Sequence, residues 1–368
     1  MKSLSRRGFV ALAGASLLAG CAPSQTPAGE TPAKETVFDR AYDSATDASL
    51  DKEAQVTIGM VGDILVHTWV WKTGESADGT RNYDGVFEQV KPTIEVLDVA
   101  MLDQETILGG TAFELSGYPT FNSPQEFGDA EVAAGFDVAL HASNHSLDMG
   151  FAGIEADLAY WRASHPDMVV AGIADTEEAS RAIPMIERGG HKIALLNYTS
   201  TTNGIPLPED APWCVNMLDE ARVEADFAAA RELGADIVFC NHPHVMQPFE
   251  WKEGPGGKRV AVFWSLGNFV STMVRMDAMV GALGHVTLDF SGGECAVAAA
   301  GITPLVTHKV YGPGLTTYYL ADYTEELAAQ NAIRQTEGCE GFSRQWCVDF
   351  CAQRLGDGFD PDACEFTA

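Results

Sequence analysis

The sequence predicts an α/β layered fold, and three observations predict it. Short apolar runs rich in branched residues recur along the chain. Segments with helical spacing separate them. Each run ends, at its C-terminal side, in an abrupt group of Asp, Glu, Asn or His. Continuous rather than alternating apolar runs mark strands buried on both faces of a sheet. Strands alternating with helices build layered α/β architecture. A chain of 368 residues is long enough for one large domain with additions, or for two.

The opening "MKSLSRRGFVALAGASLLAGC" has a basic start, an apolar stretch too short to span a bilayer as a mature helix, and small residues before Cys21. Residues 1–20 are therefore expected to be an export signal, with Cys21 the lipidated first residue after cleavage. "SRRGF" at 5–9 reads further as a twin-arginine signal, the route for proteins exported already folded. A general secretory signal holding two chance arginines is the alternative. Residues 21–54 are rich in Pro, Thr, Ala and acids and lack a sustained apolar period, which predicts a flexible tether. The expected location is the outer face of a bacterial cell membrane, held by a lipid anchor.

Folded structure is expected from about Gln55. "VTIGMVGD" (56–63) is the first strand and ends at Asp63. A helical pattern follows over 84–97. "VAMLDQE" (99–105) is the second strand, delivering Asp103 and Glu105, and a helix is expected over 124–134. "DVALHASNH" (137–145) ends in Asn144 and His145, after which helices are expected over 150–163 and 176–182. "KIALLNYTS" (192–200) precedes the helical "MLDEARVEADFAAARELG", read as a helix over 217–233 with its terminal glycine. "ADIVFCNHPH" (235–244) and "RVAVFWSLGN" (259–268) complete the strands and end in His242, His244 and Asn268. Residues 118–123 read as a loop over the strand ends.

Residues 55–310 form the expected main domain, and 311–368 a helical, Cys-rich extension. Four cysteines, Cys339, Cys347, Cys351 and Cys364, lie in that last stretch. In an exported protein this predicts a disulfide staple rather than a zinc site. Cys347 and Cys351 share a helix face, so each is expected to pair outward, with Cys339 and Cys364 in some order. Cys240 is expected to be a buried free thiol.

The net charge of −29 comes from 52 acids against 23 bases. Removing residues 1–20, which carry Lys2, Arg6 and Arg7 and no acid, takes it to −32. That argues against nucleic acid as a partner, since phosphate neutralisation needs clustered Lys and Arg.

In layered α/β folds, sites form outside the carboxyl ends of the strands, so these polar run ends converge on one rim. Two divalent cations held close together need oxygen and imidazole ligands with a carboxylate to bridge them, and they lower the pKa of bound water. Asp63 and Glu105 supply carboxylates, Asn144 a carbonyl, and His242 and His244 imidazoles. His145 is left to act as general acid or to hydrogen-bond developing charge. Residues i and i+2 of an extended segment point the same way, so the "HPH" pair can address one site. The bland readings are a helix cap for Asp63, a surface acid for Glu105, a strand-to-helix turn for Asn144 and His145, and structural histidines at His67 and His141.

"GDILVH", "DQETIL", "FNSP", "SNHSLDMG", "NHPHVMQP" and "SLGNFV" occur in an order and spacing that resemble the CapA family, the poly-γ-glutamate capsule biosynthesis proteins, over about residues 56–310. That family is similar in fold to the calcineurin-like metallophosphoesterases, so the resemblance implies a four-layer α/β sandwich with a two-metal site. It implies Asp63 as a first-metal ligand, Glu105 as the bridging carboxylate and Asn144 as a second-metal ligand. His145 becomes the catalytic histidine, and His242 and His244 ligands to the two metals. His67, Asp103 and Asn268 are further candidates. The chain departs from the pattern: His67 lies four residues after Asp63 instead of two, the bridge is Glu rather than Asp, and Asp103 stands where CapA-like sequences usually carry Asn. The separate His that the metallophosphoesterases supply before the final His-x-His has no clear match in this chain.

Two functions are expected from different classes. One is an exported, membrane-tethered, metal-dependent hydrolase of a phosphoester or γ-glutamyl amide. The other is a non-catalytic subunit of a capsule synthesis or export complex that binds metal or polymer.

Overall fold

A computed structural model describes residues 54–230, 234–312 and 314–368. The export signal, Cys21 and the tether up to residue 53 lie outside the described residues. The fold is the mixed α/β class expected from the strand and helix alternation.

Strands β1 (Gln55–Ile64), β2 (Val99–Asp103), β3 (Val138–Leu140) and β4 (Val169–Ala171) lie side by side and parallel. Parallel neighbours need crossover connections, and helices supply them. The 84–97 pattern forms two short turns, Asp84–Phe87 and Lys91–Ile94, because Pro92 begins a new helix there. Helices α1 (Glu126–Ala133) and α2 (Gly150–Ser164) follow. A hairpin of β5 (Met185–Arg188) and β6 (His191–Ala194) comes next, then α3 (Glu220–Ala230). A second sheet holds β7 (Ile237–Phe239), β8 (Phe249–Glu253) and β9 (Arg259–Phe263) in the order β7-β9-β8. β10 (Asn268–Val270) returns to pair with β1 in parallel.

β11 (Val280–Asp289) and β12 (Ala296–Val310) extend the first sheet antiparallel from β1. Sequence reading missed both, because their Gly, Ala and Pro content hides the apolar run. β13 (Gly314–Tyr319), β14 (Phe359–Asp360) and β15 (Glu365–Thr367) join the same sheet beside β12. Residues beyond 310 thus supply strands of the main sheet as well as helix α4 (Arg344–Leu355). No helix among the described residues is long and apolar enough to cross a membrane.

The two faces of the main sheet bury different partners. Ile58, Met60, Val99, Met101, Val138 and Leu140 meet Ile237, Phe239, Ala261 and Phe263 of the second sheet. Ala100, Leu102 and Ala139 meet Phe87, Phe127 and Trp161 of the helices. Leu196 and Tyr198, just past β6, pack against Val223 and Phe227 of α3. The main sheet thus has helices on one face and the second sheet on the other, and the alternation of side chains along each strand explains why both faces are apolar.

The cysteine staple is a correction. Cys339, Cys347, Cys351 and Cys364 are all free thiols. Cys347 and Cys351 do share one face of α4, but that face points into the core, packed with Phe342, Val348 and Leu355. Burial pushes the Cys347 and Cys351 thiols far up, and the Cys364 thiol up as well. Cys240 is a free, half-buried thiol, pushed up to about 11 by burial.

Candidate metal centre

β1 makes the centre by a change of register. Its pairing with β2 runs Ile58↔Val99 to Met60↔Met101, then shifts so that Asp63 faces Asp103. On the other side Asp63 faces Asn268 of β10, and the register shifts again after it. Such irregularities re-aim a side chain at a strand end. The approach depends on glycine: a Cβ at Gly62 would lie 1.8 Å from the Gly267 carbonyl oxygen. The Asp63 amide donates to that same oxygen at 2.8 Å.

Around Asp63 the structure gathers Glu105, Asn144, His242, His244 and Asn268. His244 Nδ1 lies 2.8 Å from Asp63 Oδ2, 3.1 Å from Asn268 Oδ1 and 3.7 Å from Glu105 Oε2. Carboxylates only accept, so Nδ1 carries the proton in this arrangement. His242 Nδ1 lies 3.0 Å from Asn144 Oδ1, and its backbone amide donates to Asp63 Oδ1 at 3.4 Å. The two rings stand 5.6 Å apart. Ligand atoms of Glu105, His242 and His244 all fall within 4.8 Å of one another.

Glu105 is 2% exposed, and neither of its oxygens accepts a hydrogen bond. An unsatisfied buried acceptor costs about 1–3 kcal/mol, more when charged. Burial, reinforced by the charges of Asp63 and Asp148, holds its carboxyl well above the usual range. Burial and the charges of Asp63 and Glu105 do the same to Asp103. Asp103 Oδ2 accepts from Asn241 Nδ2 at 3.0 Å, while Oδ1 has no hydrogen-bond partner. Buried carboxylates crowded against imidazoles, with acceptors left empty, offer the oxygen and nitrogen donors that divalent cations take.

The backbone carries the same message. His242 and His244 have φ of +91° and +58°, a left-handed region that costs a side chain with a Cβ and clusters at functional sites. Burial lowers His242. Burial also works against His244, but its bonds to Asp63 and Asn268 outweigh this and raise it.

His145 stands beside this group without joining the ligand cluster. Its Nδ1 lies 2.7 Å from Asp148 Oδ2, which also accepts from the Phe121 amide at 2.6 Å. Phe121, from the 118–123 loop, is buried edge-on against the rings of His145 and His67. Asn203 touches both Asn144 and His145, at 3.3 and 3.4 Å. A cavity of about 160 Å³ opens here, lined by Asp103, Glu105, Asn144, Asn241 and His242.

His67 turns its Nδ1 to the Leu65 carbonyl at 3.3 Å and lies outside the cluster; burial brings it down to about 4. His141 is structural, with Trp161 Nε1 donating to its Nε2 at 3.3 Å. Asn268 is held by donations to Ser271 Oγ and the Ala278 carbonyl, so it orients His244 from behind. Sequence reasoning missed Asp148, Asn203 and Asn241. Asp148 lies three residues past His145 in "HSLD" and Asn241 immediately precedes His242; only the turn geometry reveals their partners.

The family model described as bacterial capsule synthesis protein PGA_cap matches this chain over residues 57–231 and 219–273. The chain is 25% identical over 261 residues to the PGA biosynthesis protein CapA of Bacillus subtilis (strain 168), covering 58% of this chain and 63% of that protein. It is 25% identical over 257 residues to the capsule biosynthesis protein CapA of Bacillus anthracis, covering 59% of this chain and 60% of that one. The match thus spans less than two thirds of the length of either relative.

Proposed function

Because the chain belongs to the bacterial capsule synthesis protein family, we propose that it is an exported, membrane-tethered, metal-dependent hydrolase in poly-γ-glutamate capsule or envelope-polymer metabolism. The observation that carries the hydrolase reading is Glu105: a buried carboxylate with both oxygens unbonded, set against two imidazoles in left-handed backbone. Asp63, Glu105, Asn144, His242 and His244 would hold the divalent ions. Bound there, such ions supply Lewis-acid activation of water and neutralise charge on the attacked group.

His145 handles the proton. Asp148 fixes its Nδ1 and ring orientation, leaving Nε2 free to serve the leaving group or to stabilise the developing oxyanion. Phe121 and the Asp148 bond to its amide hold the ring against rotation. The bond cleaved is a phosphoester or a γ-glutamyl amide, both of which suit this chemistry.

The test combines elemental analysis of the purified protein with hydrolysis of bis-p-nitrophenyl phosphate and γ-glutamyl-p-nitroanilide. His145→Ala should keep the metal and lose turnover; full turnover in that variant removes the proposed role. The missing Asp-x-His, with His67 turned to a backbone carbonyl, favours a second reading: a non-catalytic metal- or polymer-binding subunit of a capsule assembly complex. Metal-loaded wild type that cleaves neither probe selects it. Anchoring is part of the same proposal, and mass spectrometry of the mature N-terminus should find acylated Cys21.

A further inference from the structure

A lysine and two aromatic side chains stand beside the metal centre and take no part in it, and a third aromatic lies on a neighbouring loop. Lys309, near the end of β12, is half-buried with its Nζ 4.5 Å from the centre of the Trp69 ring. Among the described residues no carboxylate forms an ion pair with it. Tyr311 packs edge-on against Trp69 at 5.6 Å and is 60% exposed. Tyr118 is 78% exposed. The loop before it packs on the residue preceding Trp69: a Cβ on Gly117 would lie 2.5 Å from Thr68 Oγ1.

The rim joins the centre through His67. That residue precedes the helix Thr68–Thr73 and packs on Phe121, which packs on His145. The Lys309 charge is felt at the His67 ring, as are those of His145 and His244. A half-buried cation without a counter-ion is costly, and burial lowers Lys309 accordingly. In a chain of net charge −29, a polyanion is repelled almost everywhere else.

We infer that Lys309, Trp69, Tyr118 and Tyr311 form a substrate subsite that takes a carboxylate of an acidic chain on the lysine and its methylenes across the rings. The inference rests on the proposed metal centre, where the neighbouring bond of that chain would be cleaved. A neutral glycan would use the rings and leave Lys309 uncompensated. A phosphate offers the same oxyanion chemistry from another source, and the test separates the two.

The test is isothermal titration of the full chain, loaded with Mn²⁺, with a γ-linked glutamate oligomer and separately with inorganic phosphate. Lys309→Gln should weaken oligomer binding about tenfold, the scale of one charge-assisted bond. Lys309→Arg should restore most of it, and added salt should erode the wild-type affinity. Tyr118→Ser, on an exposed loop that does not threaten folding, should weaken it about threefold through lost apolar contact. Equal affinity in wild type, Lys309→Gln and Tyr118→Ser overturns the inference. Lys309-dependent binding of phosphate without binding of the oligomer overturns the acidic-chain assignment. Metal content is measured on the same samples. Wild type that holds metal but no oligomer sinks the subsite alone, whereas wild type without metal sinks the metal-centre reading.

Discussion

Replacing Glu105 by Gln should make the metal-free protein more stable and the metal-loaded protein less so. Glu105 is buried, neither oxygen receives a hydrogen bond, and Asp63 and Asp148 crowd it with like charge. Gln keeps the shape and removes the carboxyl's charge and one of its two unbonded acceptor oxygens. His244 keeps Asp63 as its partner at 2.8 Å. Relief of one unsatisfied buried acceptor amounts to about 2 kcal/mol. With an unfolding entropy of about 2.1 cal/mol/K per residue, that raises the melting midpoint of a domain this size by about 3 °C. Divalent ion at a hundredfold excess over its Kd adds about 2.7 kcal/mol to a protein that binds it, or about 4 °C here. Scanning calorimetry in chelator and in excess Mn²⁺ should therefore show the two proteins exchanging rank. A variant that melts at or below wild type in chelator, or that gains as much from metal, refutes the reasoning.

Other perturbations separate ligands, positioning groups and scaffold. The double variant His242→Ala, His244→Ala should lose its metal by elemental analysis while Asn268→Ala retains part of it. Asp148→Asn should keep fold and metal but lower kcat on bis-p-nitrophenyl phosphate about 10²-fold or more, the scale of a general acid–base contribution; an unchanged kcat would leave Asp148 a loop clamp only. Gly62→Ala should cost more than about 3 kcal/mol in urea unfolding, because its Cβ has only 1.8 Å to the Gly267 oxygen and backbone must move. Alkylation of denatured, unreduced protein should label Cys339, Cys347, Cys351 and Cys364 in full; protected pairs would restore the disulfide staple.

The parts of the molecule legible in sequence are those where composition changes abruptly. Asp63, Glu105 and the two imidazoles are visible because each interrupts an apolar strand that has no reason to end in a ligand. β11 and β12 escape because Gly281, Gly284, Ala299 and Pro304 dilute the branched residues that mark a buried strand. The partners of His145 escape for another reason. Asp148 reaches the ring only through the turn after β3, and Asn203 arrives from 58 residues away. Spacing places Cys347 and Cys351 on one face of α4, but it does not say whether that face meets solvent or core.

The conformations of His242 and His244 bear on how such a centre decays. Glycine is the relaxed occupant of both positions, so here the backbone's preference and the ligand's chemistry pull in opposite directions. While an ion rewards the imidazoles, the tension persists. In a descendant that no longer grips one, nothing opposes drift toward glycine or asparagine. The erosion would begin at these two codons, on a scaffold whose sheets remain whole.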